Sequence, residues 1–466
     1  MKLTKRAIIL VLVCSTIAQA QEHSQHHPPA LQEQAGQFEP GTQAAAGSGL
    51  TLPAIEEIAL KKNPTLTQAS AEIRAARGRH TQAGLYPNPV IGYSGEEIRS
   101  SARGGQQGFF VEQEVVLGGK LGLNRKVVEQ EIAIAVIEAE EQRVRVLNAV
   151  RLAFYRTLAA QEMLDAHRTL ADLAVETLET GQRLRNVGQS DETEVLQAEI
   201  AAQQSQLSLV RQQNQFRAAW RSMAAVIGEP QLPVRRVEGQ LEADLPELEA
   251  AVSVTRMLNE SPAVRIAEAN VLRAQAAVRR SEREPVPDLQ LRGGMHRNLQ
   301  LQAATGRSAG MQGFAEIGIR LPLFNRNQGN VAEARAIHER AAGEVERVRL
   351  VLYDRASAVA ESYNTARAIA ERYRTHLLPA AQRSHELMRA QWGNMRVSYP
   401  QLLSTQRTLY DIQVGYIAAL LDVRASAIAL EGFLLIDGLE APARPGEVDL
   451  PVREVNLPAS QVPLER

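Results

Sequence analysis

A formal net charge of −1 over 466 residues offers no basic surface for nucleic acid. Aromatic residues make up 4% of the chain, too few for a conventional large core, while its Ala- and Leu-rich stretches suit long helices packed side by side. The one cysteine, Cys14, falls in the first twenty residues, which excludes disulfides, a thiol nucleophile and Cys metal ligands from everything that follows.

Residues 1–20 read as a secretory signal peptide. Lys2, Lys5 and Arg6 precede an apolar run, and Ala18-Gln19-Ala20 supplies a small-x-small cleavage site. Losing those three cations takes the net charge from −1 to −4. Val13 is not the small residue that a lipid anchor at Cys14 requires. Residues 21–50, rich in Gln, His, Pro, Gly and Ala, predict a flexible N-terminal segment. Its His23, His26 and His27 read either as a loose metal-capture site or as part of a solvated tail. No later run approaches the roughly 18–20 uninterrupted apolar residues of a spanning helix, so any membrane crossing falls to strands.

A first helix is expected over 52–84, with Pro53 in its opening turn, a break at Pro64 and Gly84 at its end. Tyr86-Pro87-Asn88-Pro89 then opens a strand over 90–96, and a Gly/Ser/Arg loop over 99–107 leads to a second strand over 109–117. Residues 120–228 contain no proline and turn at Asn186-Val187-Gly188-Gln189-Ser190. The arms on either side are about 65 and 40 residues long, and at ~1.5 Å per residue the first runs about 100 Å.

The plan then repeats. Leu60-Lys61-Lys62-Asn63-Pro64 is echoed by Leu258-Asn259-Glu260-Ser261-Pro262, and Pro87-Asn88-Pro89 by Pro285-Val286-Pro287. Leu117, Val127 and Glu129 recur as Leu321, Val331 and Glu333. Residues 51–245 and 246–440 are accordingly two structural repeats, and 441–466 a Pro-rich tail. The second repeat carries strands over 288–295 and 314–324, a loop over 299–312 with Gly306 and Gly310, and helix over 330–436 turning near Trp392-Gly393-Asn394. Hairpins this long have no globular interior, so their apolar stripes must pack on each other and on neighbouring subunits.

Ala315, Ile317, Ile319, Leu321 and Leu323 alternate with Glu316, Gly318 and Arg320, and Leu289, Leu291 and Met295 alternate with Asp288, Gln290 and Arg292. A soluble sheet with one wet face gives the same alternation. Four strands cannot close a membrane barrel, which needs at least about eight, and an open edge cannot face lipid. A barrel would have to be shared, and three subunits would supply about twelve strands.

Signal peptide, duplicated strand pair and duplicated long hairpin together resemble the TolC-like outer-membrane efflux factors, over residues 50–440. Asn186-Val187-Gly188 with Thr193-Glu194-Val195 is similar to the family's first periplasmic tip. Leu402-Leu403-Ser404-Thr405-Gln406-Arg407-Thr408-Leu409-Tyr410 is similar to the segment after the second. Leu117-Gly118-Gly119-Lys120 and the 321–330 stretch, with Arg326-Asn327-Gln328-Gly329-Asn330, are most similar to members serving cobalt, zinc, cadmium, copper or nickel export. At the second tip Ser404 stands where the family often has Asp, so an acidic ring does not carry over there; at the first, Glu194 keeps the acidic residue.

The resemblance implies a mostly α fold with a shared transmembrane β-barrel: a homotrimer whose twelve-stranded barrel, four strands per chain, sits in outer-membrane lipid and continues as a long α-helical barrel into the periplasm. Substrate, heavy-metal ions in the first instance, would pass passively, driven by an inner-membrane efflux pump of the RND type through a periplasmic adaptor (membrane fusion) protein. The implied adaptor-docking tips are Val187, Gly188, Gln189 and Ser190, with Gly393, Asn394, Met395 and Arg396; a candidate periplasmic gate comprises Glu194, Tyr399 and Ser404. The tip glycines read equally as residues that a tight turn needs. Alternatives are an outer-membrane factor for drug efflux or type I secretion, or the periplasmic adaptor itself, which would carry one hairpin where this chain has two.

No catalytic residue, metal ligand set or cofactor is expected. The chain lacks His-Glu-x-x-His, Gly-x-Ser-x-Gly and a phosphate-binding glycine loop. His80, His167, His296, His338, His376 and His385 are scattered without ligand spacing.

Overall fold

A computed structural model describes residues 50–96, 105–243, 245–301, 308–393 and 396–440. The expected signal peptide, His23, His26, His27, both strand-loop tips, Asn394, Met395 and the C-terminal tail lie outside the described residues.

Each repeat opens with a helix broken at an X-Pro step. Helix α1 (Leu52–Lys62) ends where Pro64 would otherwise leave a carbonyl without its donor, and α2 (Pro64–Ala83) restarts with proline in its first turn. Asn63 caps that restart, accepting from the Thr65 N–H at 3.0 Å, and donates Nδ2 to the Val226 carbonyl at 2.8 Å. The break is thereby tied to the end of a helix 163 residues away. The second repeat breaks its helix in the same way, at Ser261-Pro262 between α5 (Ala250–Glu260) and α6 (Pro262–Arg283), though without a side-chain cap from Ser261.

Strands β1 (Val90–Glu96), β2 (Gln106–Val115), β3 (Leu289–Leu301) and β4 (Ser308–Ile319) form one antiparallel sheet in the order β1-β2-β3-β4. Three of the four strands differ in their bounds from the alternation reading. β2 starts at Gln106 and stops at Val115, β3 continues to Leu301, and β4 begins at Ser308 and ends at Ile319. Cross-strand bonding extends the hairpins into Gly- and Gln-rich residues that carry no apolar alternation. Beyond Ile319 the chain turns toward helix, and Pro322 has no N–H to give a ladder.

Strand passes to helix through left-handed residues. Gly118 and Gly119, at φ +70° and +69°, precede α3 (Lys120–Asn186), and Asn327 at φ +61° precedes α7 (Gln328–Arg372). Asp288 pins the first junction by accepting from the Leu117 N–H at 2.9 Å and from Lys120 Nζ at 2.7 Å. The Leu-Gly-Gly-Lys and Asn-Arg-Asn-Gln stretches are thus chain-turning devices.

Helix α3 pairs with α4 (Glu192–Ile227) as the first hairpin. The second pairs α7, a π-helical turn at Tyr373–Leu377 and α8 (Leu378–Gly393) with α9 (Tyr399–Glu431). In the π turn the Leu378 N–H reaches the Tyr373 carbonyl, five residues back, just ahead of Pro379, which can donate nothing. Helix α9 stops at Glu431 rather than 436 because Phe433 and Leu434 take left-handed φ of 57° and 63°. By length and composition α9 could cross a bilayer, yet half of its apolar stretch is buried within the fold.

The expectation of hairpins without an interior needs correction. Midway along them a compact core collects Phe154, Leu158, Trp220, Met223, Leu241 and Tyr363, closed by the segment linking α4 to α5. Trp220 Nε1 donates to the Leu232 carbonyl at 3.2 Å, and the Tyr363 hydroxyl accepts from the Leu248 N–H at 3.0 Å. Arg424 donates to the Leu241 carbonyl at 3.2 Å and lies over the Tyr155 ring at 4.8 Å.

Candidate functional site

Paired residues of a sheet share a face, so the register sorts the strands into two surfaces. One carries the rows Tyr93–Phe109–Met295, Ile91–Val111–Ala315, Gln113–Leu291–Ile317 and Val115–Leu289–Ile319, with a more polar fifth row, Gly95–Gln107–Arg297–Met311, at the loop end. It is apolar and open: Ile91 is 75% exposed, Phe109 68% and Ile317 76%. Tyr93 meets Phe109 edge-on at 5.5 Å. An apolar face of this extent on a soluble protein would be an aggregation hazard; lipid removes the penalty.

The other surface is polar. Glu112, Arg292 and Glu316 form one row, and His296 and Gln312 pair in another at 3.2 Å. Arg292 lies over the Phe110 ring at 4.2 Å and reaches Glu316 at 3.8 Å. The Phe110 ring in turn covers Gly92, where a Cβ would come within 2.3 Å of it. Apolar-out and polar-in alternation is what a barrel with an aqueous lumen requires. The outer edges of β1 and β4 have no strand partner among the described residues.

At the other end of α3 lies the first tip. Val187 closes the helix, Gly188 adopts φ +75°, the Gly188 N–H bonds the Arg185 carbonyl at 2.9 Å and the Gln189 N–H bonds the Leu184 carbonyl at 2.9 Å. This is a Schellman C-cap, and its left-handed residue favours glycine whatever else happens there. Ser190 Oγ donates to Glu194 at 2.8 Å, which half-buries that carboxylate against the turn. Val187 is exposed.

The second tip is built differently. Gly393 ends α8 without a left-handed φ, and a Cβ added to it would meet nothing within 4 Å. Arg396 is exposed and its N–H bonds the Gln391 carbonyl at 2.9 Å. Ser398 and Gln401 form a capping box at the start of α9. Tyr399 is buried against Trp392, ring centroids 6.4 Å apart, and burial pushes its phenol pKa up. Ser404 is exposed. The structure therefore brings Glu194 onto the first turn and turns Tyr399 into the protein. Arg389 of α8 reaches Glu176 of α3 at 3.4 Å, linking the hairpins above the tips.

Sequence reading missed the Glu112–Arg292–Glu316 row and the aromatic rings beside it. Alternation marks a polar face, and only the register aligns residues 180 and 24 positions apart. Among the described residues no group of three or more His, Cys, Asp or Glu could hold a metal ion.

Comparison with known proteins agrees with this architecture. The sequence profile of the family described as outer membrane efflux protein matches residues 56–229 and 254–434. The chain is 25% identical over 389 residues to the cobalt-zinc-cadmium resistance protein CzcC of Cupriavidus metallidurans, covering 84% of this chain and 91% of that protein. It is 25% identical over 295 residues to the nickel-cobalt-cadmium resistance protein NccC of Alcaligenes xylosoxydans xylosoxydans, covering 62% and 64% of the two chains. The crystal structure of the outer membrane protein VceC of Vibrio cholerae superposes with a TM-score of 0.67 at 16% identity, over 84% of this chain and 97% of that one.

Proposed function

This chain belongs to the outer membrane efflux protein family, and from that premise we propose that three copies close one twelve-stranded barrel and one helical duct that exports heavy-metal ions. As a member of the family it is an outer-membrane efflux channel reaching into the periplasm. The observation that carries the assembly is the sheet, whose apolar face is exposed and whose β1 and β4 edges are free among the described residues. Lipid cannot satisfy the backbone groups of a free strand edge, so each edge must pair with a neighbouring copy.

The ends of the hairpins dock a periplasmic adaptor, which couples the duct to an inner-membrane pump. Gly393 supports this reading more strongly than Gly188. Backbone conformation accounts for glycine at the first tip, whereas at the second neither φ nor any neighbouring atom among the described residues does. Close approach of another protein's backbone would.

The metal assignment rests on likeness to CzcC and NccC, at 25% identity to each. Minimum inhibitory concentrations for zinc, cobalt, cadmium, copper and silver, set beside those for dyes and antibiotics, decide it in deletion and complemented strains. Metal tolerance should fall more than drug tolerance on deletion. A drug-only phenotype would retire the metal reading and keep the duct.

A further inference from the structure

We propose that a cavity in the helical wall, between α3, α4 and α9, binds a small oxyanion such as inorganic phosphate or a carboxylate. The cavity measures about 190 Å³ and is lined by His167 of α3, Gln204 and Ser208 of α4, and Gln406, Arg407 and Tyr410 of α9, among others. One water needs only about 10–15 Å³ of such space, so there is room for a hydrated small anion.

Three features of the lining select an anion. The His167 Nδ1 and Tyr410 hydroxyl are buried and have no hydrogen-bond partner among the described residues, although their rings pack edge-on at 4.8 Å. Each such group loses roughly 1–3 kcal/mol if left unpaired. No Asp or Glu lines the cavity. Arg407 sits on its wall without an ion pair among the described residues; Arg211, outside the lining and likewise without an ion pair there, adds its charge to burial in lowering the His167 pKa. Asp411, the carboxylate felt by Tyr410, adjoins the site on α9 and is not part of the lining. Two unpaired guanidinium groups repel a metal ion, and hydroxyl and amide donors complement oxygen acceptors.

A bound anion would join α9 of the second repeat to α3 and α4 of the first, about 28 Å from the first tip at ~1.5 Å per residue. It would therefore hold the two hairpins together just above the docking ends.

Isothermal titration of the purified full-length protein in detergent, at constant ionic strength, tests this with sodium phosphate and sodium acetate in separate arms. We expect saturable binding of one or both. Arg407→Ala and Tyr410→Phe should each weaken it by about tenfold or more, Arg407→Lys should restore part of the loss, and Arg221→Ala on the exposed surface should change nothing. Arg407 is exposed and Tyr410→Phe is isosteric, so circular dichroism of both variants should match wild type. Absence of saturable heat with either anion, or equal binding in all variants, overturns the proposal.

Discussion

Val111→Arg should prevent stable assembly in the outer membrane, while Gln290→Arg should not. Val111 lies in the row Ile91–Val111–Gly293–Ala315. That row is the middle one of five on the apolar face, bounded by the Gln107 row above and the Val115 row below. Rows on one face are about 6.6 Å apart along a strand, so Val111 lies about 13 Å from either outer row and near the bilayer midplane. Arginine at the midplane of a barrel's lipid face costs about 2–4 kcal/mol. If three copies share the barrel, the penalty rises to about 6–12 kcal/mol per assembly, comparable with the total stability of a typical folded domain. Gln290 lies on the opposite face, beside Glu114, where an added cation gains a partner. If the sheet faced water instead, Val111, already half-exposed, would tolerate arginine within about 0.5 kcal/mol. Heat-modifiable mobility of the oligomer on gels, together with its recovery in outer-membrane fractions, measures the difference. Equal recovery and equal dissociation temperature for the two variants would refute the assignment of faces.

Gly393→Trp should abolish export and adaptor cross-linking while leaving oligomer and membrane insertion intact, because a Cβ there has open space among the described residues; retained export would move the docking surface elsewhere. Gly188→Ala should cost about 1–2 kcal/mol locally from its left-handed φ, visible as faster hydrogen exchange in the last turn of α3, and unchanged exchange would refute the strain argument. Burial, reinforced by Glu141 and Glu72 and opposed by Arg273, raises the Glu138 pKa to about 7. The folded state therefore holds this proton over a range in which the unfolded chain has lost it. Stability should fall as pH rises from about 5 to 8, and Glu138→Gln should flatten that slope; thermal melts across the range check it. Tags inserted at 97–104 or 302–307 should label on intact cells, since long barrel loops face outward; labelling only after permeabilisation would invert the topology.

Local chemistry written in the sequence determined the repeat, the helices and their turns. Pro64 and Pro262 break helices wherever they stand because they lack a donor, and Gly188 ends one because few other residues accept its φ. Alternation at 315–323 located a strand, yet one residue type facing lipid and another facing water produce the same pattern as a core and a solvent face. Pairing across the repeats decided between them. β2 and β3 lie more than 170 residues apart, and their register puts Phe109 beside Met295 and Glu112 beside Arg292. The same long-range contacts drew out β3, moved β4 toward its hairpin turn, gathered Trp220 and Tyr363 into a core the aromatic content did not suggest, and buried Tyr399 beside Trp392. Each of these depends on residues that meet only after the chain has folded back on itself. A period of two or 3.6 reports which side of an element is apolar, and only its neighbours determine what that side touches.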